Sequence, residues 1–178
     1  MKTLEKIQKL CLLGRVLSRI AFVMAVVGAA LSLAGIIGLA AGADGVVKIG
    51  GVTLHTLIVE RGEERGSVIA AMLMWIIVLA GEAVPARYAW LYFRSELEEG
   101  TPFTEKGAGE MLRLGIICIA VPLGCTVVGS IAEGIAAALM NVEKSGLADC
   151  SVDGSITLGV MFLFVSLLCR YGSEQKMA

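Results

Sequence analysis

The sequence predicts an all-α integral membrane protein, a bundle of four transmembrane helices, and three observations predict it. Apolar residues make up 57% of the 178-residue chain and charged residues only 17%, where an ordinary soluble domain carries about 25% charge; mean hydropathy is +0.82. Four apolar runs each approach the roughly 20 residues that a helix needs to cross about 30 Å of hydrocarbon. The basic residues gather at alternate ends of those runs. One membrane domain therefore covers residues 1–178, with the lipid bilayer as its first partner. The net charge of -1 argues against direct nucleic-acid binding, which needs a strongly basic face.

The lead-in, residues 1–19, carries Leu4, Ile7, Leu10, Cys11, Gly14 and Leu17 along one stripe, with Lys2, Glu5, Lys6 and Lys9 mostly opposite. That spacing predicts an interfacial amphipathic helix that runs into the first span. The spans are expected at about 20–41, 68–93, 114–138 and 156–170. Small residues at an Ala41-x-Ala43 spacing raise the alternative of a cleaved signal peptide, but the preceding apolar run is longer than the usual h-region of about 7 to 15 residues. The fourth span is the shortest. A re-entrant or surface-lying segment is its alternative, against which "ITLGVMFLFVSLLC" carries no charge at all.

Lys2, Lys6, Lys9, Arg15 and Arg19 precede the first span. Arg87, Arg94, Lys106 and Arg113 flank the second connection, and Arg170 and Lys176 follow the fourth span. The other two loops hold only Lys48, Arg61, Arg65 and Lys144. The positive-inside bias thus predicts both termini in the cytoplasm, with Tyr88, Trp90, Tyr92 and Phe93 as an aromatic belt at the inner interface. Outside, "VVKIGGVTLHTLIV" alternates around Gly50-Gly51 and predicts a short extracytoplasmic hairpin between helices one and two. "DGVVKIG" and "DGSITLG" echo each other across the two halves, either as a trace of two hairpin repeats or as a chance match of Asp-Gly turns.

Cys118 and Cys125 are seven apart on one helix, about 10 Å of rise, beyond the reach of a disulfide. Cys150 is alone in an outer loop, and Cys11, Cys118, Cys125 and Cys169 read as small packing residues. The single histidine, His55, has no second imidazole for a metal site. Gly38-x-x-x-Gly42, Gly115, Gly124, Gly129 and Gly134 suit close helix approach in lipid, within one bundle or in a homo-oligomer.

Two acidic residues interrupt the apolar runs. Glu133 is about 28 Å of rise from Leu114 and is expected near the outer interface, in reach of water. Glu82 lies roughly 12 Å from Trp90, inside the membrane, where a carboxylate costs about 2.5 to 3.5 kcal/mol unless paired or in a wet cavity. Arg87 lies five positions on, a poor angle for an in-helix pair, although Pro85 between them permits a kink. Arg15 and Arg19 share a face of the first helix at a level to reach it. Glu82, Arg87, Arg15 and Arg19 form a candidate intramembrane polar site, either a structural inter-helix ion pair or a proton, ion or ligand site; the remaining alternative is that Glu82 simply sits at the inner interface.

The polar stretch "YFRSELEEGTPFTEKGAGEMLRLG", residues 92–115, ends one helix at Gly100 and Pro102 and restarts another behind Thr104 as N-cap, with Glu105 at the positive dipole end. It resembles the hallmark of a bacterial four-span family catalogued as domain of unknown function 2975. Members of that family carry Gly-x-Pro-Phe-Thr before Leu-Arg-x-x-Gly, here Gly100, Pro102, Phe103, Thr104, Leu112, Arg113 and Gly115. "RYG", at Arg170, Tyr171 and Gly172, resembles its ending. The chain departs in having Glu105-Lys106-Gly107 where members commonly have an acidic-Asn pair. The resemblance implies a multi-pass protein of the bacterial inner membrane with a cytoplasmic helix-turn-helix transcription regulator as partner.

Two readings follow. In the first, a regulatory or sensory protein holds its partner on a cytoplasmic surface of Pro102, Phe103, Thr104 and Arg113, although Phe103 is equally suited to staple the loop to its own helices. In the second, the helix bundle binds or transports a small solute, lipid or ion through Glu82. No nucleophile-base pair, metal set or cofactor loop is visible, so no enzyme, catalytic residue or cofactor is expected.

Overall fold

A computed structural model describes residues 2–42, 48–49, 52–53, 58, 62, 64–99, 105–144 and 153–177. Four long helices dominate it: α1, Lys2–Ala40; α2, Arg65–Glu99; α3, Glu105–Met140; and α4, Asp153–Met177. All four are long and apolar enough to cross a membrane, and the shortest spans about 38 Å at 1.5 Å per residue. Large apolar side chains cover their outer faces, among them Leu13, Ile20, Val127, Ile131, Phe164 and Leu168. Only lipid leaves such faces at rest, so this is a multi-pass membrane protein. Two short strands, β1 at Lys48–Ile49 and β2 at Val52–Thr53, pair antiparallel with Lys48 opposite Thr53 and Ile49 opposite Val52.

The helices run past the expected spans because hydropathy reads the lipid-soluble part of a helix and misses its polar ends. No break separates residues 1–19 from the first span: α1 continues through both. At Gly14 an added Cβ would sit 2.7 Å from Cζ of Phe93, so the lead-in packs against α2. The fourth segment is a continuous helix of 25 residues.

Helix ends obey local chemistry. Gly42 has φ +73° and its N–H donates to the Leu39 carbonyl at 3.2 Å. It closes α1 from outside the helix and meets nothing with its Cα face, so the second glycine of Gly38-x-x-x-Gly42 is a terminator and does not pack as the spacing suggests, whereas Gly38 is buried inside α1. Asn141, at φ 53°, ends α3 the same way. Its N–H reaches Ala138 O at 3.3 Å and the Val142 N–H reaches Ala137 O at 3.0 Å, the paired bonds of a Schellman turn.

The chain forms two compact units. The first comprises Met1–Met24, Glu82–Leu123 and Val152–Ala178. Its core is Ala89, Tyr92, Ala108, Met111, Leu114, Cys118 and Cys169, with Phe93 and Phe162 packed on it. Cys118 and Cys169 serve as small packing residues. Tyr92 Oη donates to Met111 Sδ at 3.7 Å, and Ser166 Oγ to Ala108 O at 2.8 Å. Here α3 and α4 meet through glycine: a Cβ on Gly115 would lie 3.0 Å from the Gly159 carbonyl, and one on Gly159 would lie 2.9 Å from the Gly115 carbonyl.

The second unit comprises Ala25–Gly81 and Gly124–Ser151. Leu39, Val68 and Met72 form its core, with Ile36, Ile58 and Ile69 against them. Leu79 lies over Gly28, Met74 over Gly129 and Val142 over Gly66. Gly124 faces open space, so the helical spacing that groups it with Gly129 does not give it a packing role.

Candidate functional site

Glu82 is half-buried on α2, and its partner is not an arginine. Ser155 Oγ lies 2.9 Å and 3.1 Å from its two carboxylate oxygens. Ser155 stands in the first turn of α4, where free N–H groups concentrate partial positive charge. A carboxylate beside that turn has both a hydroxyl donor and a favourable dipole. Among the described residues, no ion pair joins Glu82 to Arg15, Arg19 or Arg87. The expected four-residue site therefore separates into two: Glu82 with Ser155, and the arginines elsewhere.

Arg19 and Arg87 come together without it. They line one groove of about 360 Å³ with Phe22 and Trp90. The antiparallel pairing that sets Gly14 against Phe93 also brings position 19 level with positions 87 and 88. Arg15 is half-buried one turn away and is not part of that lining. Trp90 Nε1 is buried without a hydrogen-bond acceptor, and the Arg94 guanidinium stands 6.0 Å from the centre of the Trp90 ring while bonding Glu98 at 3.0 Å.

A larger groove of about 600 Å³ runs along α2 and α3, lined in part by Tyr88, Leu91, Ser95, Glu110, Arg113 and Ile117. It is graded. Ser95 Oγ donates to Glu110 Oε2 at 3.2 Å, and Lys106 Nζ approaches Glu110 Oε1 at 3.9 Å, toward the C-terminal end of α2 and the N-terminal end of α3. Leu91, Ile116 and Ile117, farther from the connection, make the other end apolar. Arg113 is exposed at the polar end. Pro102, Phe103 and Thr104 lie outside the described residues, as do His55 and Cys150.

Two acidic side chains are more buried than the sequence suggests. Glu96, expected on the polar end of a helix, is 4% exposed. Glu133, expected within reach of water, is also 4% exposed, and its Oε1 has no hydrogen-bond partner. Rise along one helix gives depth but not which side a neighbour covers, and that is why Glu133 was misplaced. An unsatisfied buried polar atom costs about 1–3 kcal/mol, so Glu133→Met, of similar length and fully apolar, is expected to raise the unfolding midpoint in detergent. A thermal melt beside the parent protein checks it; a lower midpoint indicates that the carboxyl is bonded.

Comparison of the chain with protein-family models, curated proteins and solved structures finds no match.

Proposed function

We propose that this is a regulatory or sensory protein of the bacterial inner membrane, with both termini and the 100–104 connection in the cytoplasm. There it holds or releases a soluble helix-turn-helix transcription regulator according to what occupies the groove on α2 and α3. The observation that carries the reading is the gradation of that groove. Its apolar end suits the tail of a membrane-dissolved amphiphile and its Ser95, Glu110 and Arg113 end suits a polar head. The two helices that form the groove are the ones the 100–104 connection joins, so a ligand that shifts either helix acts on the loop a partner would touch. The distribution of basic residues supports the orientation, and the resemblance of Gly100 to Gly115 to a four-span bacterial family supports the kind of partner.

Purification of the tagged protein from native membranes in mild detergent, with mass spectrometry of what accompanies it, tests the proposal. A stoichiometric small DNA-binding protein is the expected result. A bound lipid or solute with no protein partner instead favours ligand binding or transport by the helices themselves. Phe103→Ala is expected to abolish capture of the regulator without changing membrane abundance; unchanged capture removes that surface from the interface.

A further inference from the structure

The groove between α1 and α2 has a chemistry of its own. Arg19 and Arg87 enter it from different helices, and Phe22 and Trp90 complete the lining. Among the described residues no carboxylate lines it. Among the described residues neither arginine has an ion-pair partner, and Glu82, the acidic side chain nearest Arg87 in sequence, is engaged by Ser155. Two guanidinium groups on one groove beside an apolar surface repel each other and present positive charge and forked donors that an anion matches best. The Trp90 ring is part of the lining, while its Nε1–H is buried away from solvent.

We infer that this groove binds the headgroup of an anionic phospholipid, its phosphate oxygens held between Arg19 and Arg87. This is a site separate from the α2 and α3 groove and goes beyond the function proposed above. The surroundings favour a lipid over a free phosphate ion. Val23 and Val84 are exposed one turn toward the middle of the membrane helices, and Leu91 is exposed one turn the other way. An acyl chain on Val23 and Val84 covers apolar surface while its head meets the arginines. Basic pockets between membrane helices recognise phospholipid heads through this combination.

The test uses the full-length Trp75→Phe protein, in which Trp90 is the remaining indole. Brominated phosphatidylglycerol and brominated phosphatidylcholine are titrated separately into detergent micelles, and quenching of Trp90 is followed. Phosphatidylglycerol is expected to quench at much lower mole fraction, with a preference that weakens as salt rises. Arg19→Gln/Arg87→Gln should weaken the anionic lipid by roughly thirtyfold, whereas Arg15→Gln should leave it unchanged. If the double variant does not fold, Arg19→Lys/Arg87→Lys, with charge but no fork, still reads the site through a smaller loss. Equal quenching by the two lipids overturns the proposal, as does an unchanged affinity in the glutamine variant. Displacement of phosphatidylglycerol by millimolar inorganic phosphate overturns the lipid assignment in favour of a free anion.

Discussion

Gly159→Ala is expected to lower stability by about 1–3 kcal/mol, the usual range for overpacking, and to lower the Tm in mild detergent accordingly. The added methyl would meet Ile119 and, at 2.9 Å, the backbone carbonyl of Gly115. Ile119 can turn aside; a helical carbonyl cannot. Gly115→Ala presses on the same contact from the other helix, against the Gly159 carbonyl at 3.0 Å and Leu163 at 2.9 Å. The double variant should therefore lose less than the sum of the two, because once the helices have parted the second methyl finds room. Gly109→Ala and Gly124→Ala, where a Cβ meets nothing within 4 Å, are the controls. Each should be neutral or slightly stabilising, since alanine is the better helix former. If all four behave alike, the crossing of α3 and α4 does not depend on glycine.

The second large effect belongs to Glu82 and Ser155. A hydrogen bond to a charged group contributes about 1.5–3 kcal/mol, and Ser155→Ala should lose an amount in that range. Glu82→Gln keeps an acceptor for the hydroxyl but gives up the attraction of a carboxylate to the start of α4. A double-mutant cycle on unfolding in detergent should return clear coupling between the two positions. The same cycle between Glu82 and Arg15, Arg19 or Arg87 should return values near zero. Strong coupling to any arginine would replace the serine assignment with the ion pair that the sequence alone favoured.

How far the sequence carried this reading is visible residue by residue. The apolar runs made four spanning helices legible, because lipid imposes a length and a composition that survive any detail of packing. The turn chemistry at Gly42 lay in plain view, yet a Gly-x-x-x-Gly spacing reads identically whether its second glycine packs or terminates. Glu82 stood out as an expensive charge, but a serine 73 positions away carries no signal that marks it as the partner. Arg19 and Arg87 were each visible as basic residues near Glu82. Their convergence on Trp90 depends on the register of α1 against α2, which single-helix periodicity does not contain. Gly115 was legible as a small packing residue, while Gly159, its partner, lay unremarked in the fourth span except as the last residue of the Asp-Gly echo.

The Glu82 to Ser155 bond also orders the assembly of the chain in time. Glu82 is synthesised with α2, and its hydroxyl partner arrives only with the last helix. Until α4 is made, the ribosome has delivered a carboxylate to the membrane without that donor, and a chain broken before residue 153 never acquires it. The completed protein is thereby distinguished from its own fragments: only a chain that includes α4 gives Glu82 its hydroxyl donor.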